Sequence, residues 1–134
     1  MAHWLFKEEP GTYSFANLER DGSTTWSGVT NALAQKHLRA IKKGDTVFFY
    51  HTGDEKAVVG VMEVTADPTS DPEDSAGKRV VVVVKPLRKL KKNVSLASIK
   101  ADKVFAEWEL VRISRLSVMP VPDALWKKIE TMAE

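Results

Sequence analysis

Five consecutive valines, Val80–Val84, constrain this chain more than any other feature. A β-branched side chain has little rotamer freedom in a helix, so five in a row favour an extended strand. The run has no polar alternation, and both faces of that strand must be at least partly covered. A sheet is therefore required, with other elements laid against it. Asn31–Ile41 supplies one of them. Leu33, His37, Leu38 and Ile41 recur at helical spacing, the pattern of an amphipathic helix.

Ala2–Lys7, Thr46–Thr52 and Ala57–Thr65 read as further strands, and Arg115–Val121 as a closing one. Gly60, inside the third, marks a bulge or a barrel bend. Ser14 is placed to cap a helical turn over Phe15–Glu19, and Ser95–Ala101 reads as a short helix. Glu109–Ser114 is ambiguous. Pro122 and Asp123 open a C-terminal helix through Met132, with Leu125, Trp126 and Ile129 on one face. Asp67–Gly77, rich in Asp, Ser and Pro, reads as a mobile surface loop. No repeat or linker divides the 134 residues. One α+β domain over 1–134 is expected, with five or six short strands forming a small barrel flanked by helices.

The chain has no cysteine, which excludes disulfides, thiolate metal sites and cysteine nucleophiles. His3, His37 and His51 show no ligand spacing, so no metal is expected. No apolar run approaches the ~20 residues that cross a bilayer. The opening Met1-Ala2-His3-Trp4 lacks a secretory pattern, so a soluble, cytoplasmic protein is expected. The net charge of +2 is unevenly spread. Lys78, Arg79, Lys85, Arg88, Lys89, Lys91 and Lys92 follow the acids Asp67, Asp71, Glu73 and Asp74. Such a stretch is either a solvated strand end and turn or a phosphate-facing surface.

Three short segments carry the chemistry: Lys7-Glu8-Glu9-Pro10, Trp26-Ser27-Gly28-Val29-Thr30-Asn31 and Phe49-Tyr50-His51. Aromatic faces beside a few polar groups suit a flat polar ring such as a nucleobase. Trp26 before a serine and a glycine can expose an indole face at a loop. Its ordinary alternative is a tryptophan packed as a core lid. Pro10 biases Glu9 to an extended conformation at a strand end. A carboxylate there can accept from an exocyclic amine, or simply be solvated. His51 is a possible acid–base group or stacking partner, or a structural donor at a sheet rim. Arg115 can grip a phosphate bidentately or pair with Glu107 or Glu109. No Gly-rich phosphate loop, serine elbow or paired-carboxylate signature is present, so no catalysis is expected.

Taken in order, Trp4–Pro10, Tyr13-Ser14, Leu18, Trp26–Val29, Asn31, Leu38, Lys43-Gly44-Asp45, Phe49–His51, Val59-Gly60, Arg115–Val118 and Pro120-Val121 resemble the EVE domain family across essentially the whole chain. The resemblance implies a PUA-like fold, a curved and mostly antiparallel sheet closing into a barrel. It also implies a module related to the YTH readers of methylated adenine, one that reads modified bases, including modified cytosine in DNA. By that likeness Trp26 matches a cage tryptophan, Ser27 the polar residue beside it, Asn31 the asparagine that follows, Lys7 a backbone-contacting lysine and Glu9 a base-contacting position. The family commonly has serine where this chain has Glu8, an acid where it has Ser27, and arginine where it has Thr30.

The expectation is a monomeric binding module for DNA or RNA, without a cofactor, that holds a flipped or unstacked base, modified cytosine for preference. Its base pocket comprises Glu8, Glu9, Trp26, Ser27, Gly28, Val29, Asn31, Tyr50 and His51. Lys7, Arg88, Lys89, Lys91, Lys92 and Arg115 engage phosphates. Trp26→Ala should then weaken binding without unfolding the domain. The alternatives are a small-ligand module and a nucleotide-processing protein that uses Glu9 or His51.

Overall fold

In the computed structural model, which describes residues 2–134, the five valines open a strand that runs far past them. The elements are β1 (His3–Glu8), α1 (Phe15–Asp21), β2 (Thr24–Trp26), α2 (Ala32–Ala40), β3 (Thr46–His51), β4 (Ala57–Val64), β5 (Thr69–Ser70), β6 (Val80–Ser95), α3 (Leu96–Lys100), α4 (Glu109–Arg112), β7 (Val118–Pro120) and α5 (Asp123–Met132). A 3-10 turn, Lys103–Phe105, lies between α3 and α4. The strands follow the order β2-β6-β4-β3-β1-β7, with β5 pairing separately on β6. All pairs are antiparallel except β1–β3. The sheet curls into a half-barrel, since β2 and β7 end the path without pairing to each other.

The curl has local causes. The β3–β4 register shifts between Phe49 and Tyr50, and the β4–β6 register shifts on both sides of Gly60 and Val61. Each shift is a bulge that bends and twists its strand. Gly60 also admits α1: a Cβ there would lie 2.5–2.7 Å from the Phe15 ring. Pro86 interrupts β6 at one of these irregularities, where a missing N–H costs least.

The sheet is covered on both faces, as the valine run requires. Side-chain alternation puts Trp4 and Phe6 of β1 with Val47 and Phe49 of β3 under α1, α2 and Trp26. On the opposite face Phe48 stacks on Trp126 of α5 at 3.7 Å, and His3 stacks on the same indole at 4.3 Å. Phe6, Phe48, Phe49 and Leu5 are fully buried. Buried Asp45 accepts from Trp4 Nε1 (2.9 Å), Lys42 N (3.0 Å) and Ala2 N (3.0 Å), which ties the start of β1 to the turn before β3. The Ser14 cap stands where expected. Ser14 and Asn17 form a reciprocal capping box on α1, and Ser95 caps α3.

Three segments differ from the sequence expectation. The stretch 67–77 is an ordered hairpin turn in which Asp74 accepts from the backbone N–H groups of Ala76, Lys78 and Arg79, and Asp71 is buried. The Arg79 bond above all holds the Asp74 carboxyl below its usual range. Most of the basic stretch, Lys85–Lys92, is the middle of β6 with its charged side chains exposed, whereas Lys78 and Arg79 lie in the turn before that strand. The closing strand is short: β7 begins at Val118, so Arg115 lies in the preceding turn.

Candidate nucleic-acid interface

Parallel pairing of β1 with β3 brings the ends of two sequence motifs together, with Lys7 opposite Tyr50 and Glu8 opposite His51. The loop after β2 and the turn before β7 fold over the same end of β1. Between them lies an open cleft of about 330 Å³ lined by Lys7, Glu8, the loop Trp26–Asn31, Arg115 and Ser117. A second depression of about 230 Å³, lined by Thr12, Tyr13, Thr24 and Thr25, shares Glu8, Trp26 and Ser27 with the first. The two form one trough divided by those three residues.

Each wall has a local reason. Gly28 adopts φ +77°, in the left-handed region, with nothing near the place a Cβ would occupy. The backbone conformation, not crowding, demands glycine here. Asn31 is the N-cap of α2 and accepts from Ala34 N at 2.9 Å, so its side-chain amide N–H2 is the group left for a ligand. Buried Gln35 donates to Val29 O (2.7 Å) and accepts from Val80 N (2.9 Å). It pins the cleft loop to the start of β6. Sequence reading passed over Gln35, although a glutamine one helical turn from Leu38 on a buried face is a usable signal.

Lys7 Nζ donates to Ser114 O at 2.9 Å and sits 5.7 Å from the centre of the Tyr50 ring. Partial burial lowers its pKa from the ordinary lysine value. Arg115 is exposed and makes no ion pair among the described residues. The alternative pairing with Glu107 or Glu109 is absent there.

Trp26 is placed differently from the expectation of an exposed face. It is only 5% exposed, with its ring 5.1 Å from Phe6 and 5.4 Å from Phe49. Its indole N–H has no partner among the described residues and is not sealed from solvent. Trp26 thus borders the trough as a mostly buried wall rather than as a stacking platform.

Glu9, Tyr50 and His51 are not brought into the cleft. Glu9 lies against the β3–β4 turn, where its carboxylate accepts from Gly11 N and Thr52 Oγ1, both at 3.4 Å. Tyr50 is core, and burial raises its hydroxyl pKa. His51 is buried, and both ring nitrogens are engaged. Nε2 accepts from Phe15 N at 3.1 Å, which leaves the proton on Nδ1 to meet Glu55 at 2.9 Å. This clamp holds α1 to the sheet and leaves no free nitrogen for acid–base work. Lys89 borders the small depression beside His51, and Arg88, Lys89 and Lys91 border another against α5, where Arg88 pairs with Glu130. Neither depression includes a residue of the cleft wall. Lys92 is exposed on the same strand.

The EVE domain family model matches residues 2–132. The chain belongs to the EVE family. Human thymocyte nuclear protein 1 is 29% identical over 126 residues, which cover 75% of this chain and 56% of that protein. This EVE domain spans about half the length of the curated relatives it matches. Among solved structures, Rpa0253 from Rhodopseudomonas palustris is 38% identical with a TM-score of 0.94, covering 99% of this chain and 93% of that one. Human THYN1, solved in complex with 5-methylcytosine-containing DNA, is 26% identical with a TM-score of 0.91, covering 100% and 98%. The expected PUA-like α+β architecture is the one observed.

Proposed function

We propose that this chain binds nucleic acid and holds one unstacked base, of modified-cytosine type, in the trough beside β1. The observation that carries the reading is the convergence on one trough of the unpaired Arg115, the half-buried Lys7, the Trp26 wall and the polar groups of Glu8, Ser27 and Asn31. Two cations at one side suit a phosphate, and a polar rim on an aromatic wall suits a base edge. The DNA complex of the human relative supports the same choice of ligand. A base leaves a duplex at a cost of a few kcal/mol, so an already unstacked site is favoured unless the trough repays that cost. Every wall of the trough comes from a single chain, so a monomer suffices. No helix among the described residues is long and apolar enough to cross a membrane.

The test is a fluorescence-polarisation titration of single- and double-stranded oligonucleotides carrying cytosine, 5-methylcytosine, 5-hydroxymethylcytosine or N6-methyladenine, at two salt concentrations. Modification-dependent affinity is expected. Arg115→Ala should flatten the salt dependence by roughly 0.7–0.9 of a slope unit, one phosphate contact. Salt-insensitive affinity for a free nucleoside would favour the small-ligand reading. No binding to any oligonucleotide at low salt would refute nucleic-acid reading.

A further inference from the structure

We infer that Glu8, not Glu9, sets which base edge the trough accepts, and that it selects a ring bearing an amino group over a ring of the same shape bearing a carbonyl oxygen. The inference rests on the binding reading above and narrows it to a substrate class.

Glu8 is the last residue of β1 and stands on the dividing wall shared by both halves of the trough. It is the single acid among the residues lining either half, whereas Lys7 and Arg115 are the cations. The trough therefore has a cationic side and one acceptor. That polarity matches a nucleotide whose phosphate faces Lys7 and Arg115 and whose base presents donors toward Glu8. A carbonyl oxygen in the same place would meet a carboxylate, two acceptors without a proton between them.

The carboxylate is held for that task. Glu8 Oε1 accepts from the next backbone amide, Glu9 N, at 2.9 Å. Glu8 makes no ion pair among the described residues. One oxygen is anchored while the second has no donor among those residues, so a bound ligand gains most by supplying one. Glu9 is excluded on the same grounds. Its carboxylate already bridges Gly11 and Thr52 and lies within 2.7 Å of where a Gly53 Cβ would stand.

The experiment uses one single-stranded oligonucleotide with either 5-methylcytosine or thymine at a central position. The two bases share ring and methyl group and differ in the amino group and N3 of the former against O4 and N3–H of the latter. Wild-type protein should prefer 5-methylcytosine by at least about fivefold, the lower end of discrimination by a well-placed base contact. Glu8→Gln keeps the shape and adds an amide donor, so the preference should fall to within twofold or reverse. Glu8→Ala, which removes acceptor and donor alike, should abolish the preference without reversing it. Thermal unfolding of each variant, and retention of the Arg115-dependent salt slope, establish that the trough is intact. If wild type discriminates and both variants discriminate equally well, Glu8 is not the reader, though the binding reading stands. Equal wild-type affinity for the two bases overturns the inference in the same way. Failure of wild type to bind either oligonucleotide at low salt overturns both.

Discussion

Trp26→Ala should strongly destabilise this protein as well as affect binding. The indole is 5% exposed and lies 5.1 Å from Phe6 and 5.4 Å from Phe49. Burying roughly 250 Å² of side chain at about 25 cal/mol per Å² gives an upper bound of about 6 kcal/mol. Measured truncations of buried aromatics to alanine cost about 3–5 kcal/mol, because neighbours relax only in part. A domain of this size has about 5–15 kcal/mol in total. At about 4 °C per kcal/mol, the variant should melt roughly 12–20 °C below wild type. The assay is urea unfolding followed by far-UV circular dichroism, then oligonucleotide titration at a temperature where the variant is folded. Trp26→Phe separates the two roles, since it retains a ring between Phe6 and Phe49 but removes the indole N–H. It should fold and lose about two- to tenfold in affinity, the worth of one hydrogen bond. If Trp26→Ala instead costs less than about 1 kcal/mol while affinity falls more than tenfold, the indole is a stacking platform and the burial argument is wrong.

Two further substitutions test the surroundings of the trough. Lys7→Met should weaken oligonucleotide binding and flatten its salt dependence, with an unfolding temperature at neutral pH equal to or above wild type. Burial lowers the Lys7 pKa below 10.5, so charged Lys7 disfavours the fold below its folded pKa, and that disadvantage fades as pH rises through the folded value toward 10.5. A lower unfolding temperature for Lys7→Met would mean that the bond to Ser114 outweighs desolvation. Gly60→Ala should cost about 1–3 kcal/mol, since its Cβ would stand 2.5 Å from the Phe15 ring, and Phe15→Leu should recover part of that loss. Additive losses in urea unfolding would show that the two residues do not compete for space.

Elements with strong local signals were legible in the sequence. The valine run, the Ser14 cap, the Asn31 helix and the Gly60 bulge each rest on propensity or backbone sterics, which act within a few residues. The extent of β6 was not legible. Lys85–Lys92 has the composition of a solvated surface, and only pairing of its backbone with β4 and packing against α5 keep it extended. Tertiary pairing overrode composition there. Asp67–Gly77 misled for a related reason. Acid-rich composition reads as mobile, yet Asp74 accepts from three turn amides, those of Ala76, Lys78 and Arg79. Of the site, the Trp26–Asn31 loop, Lys7, Glu8 and Arg115 come together as the motifs implied, but the face each side chain presents was hidden.

That hidden part follows from a single topological choice. β1 and β3 are the parallel pair in an otherwise antiparallel sheet, so a crossover through α1, β2 and α2 must separate them in sequence. Parallel pairing puts the C-terminal ends of both strands at one end of the sheet, which is why Lys7-Glu8 and Tyr50-His51 are neighbours in space. The same crossover divides what it brings together. α1 enters over His51, whose ring accepts from Phe15 N, and this takes His51 out of the trough. β2 and the loop to α2 enter over Glu8, which makes Trp26 part wall and part core. A strand alternates its faces, so Tyr50 stays beneath Lys7 while Glu8 meets the loop. Three motifs that look like one constellation in the chain are therefore two structures. One is the trough on Lys7, Glu8 and the Trp26 loop; the other is the His51–Glu55–Phe15 clamp that fixes the helix beside it.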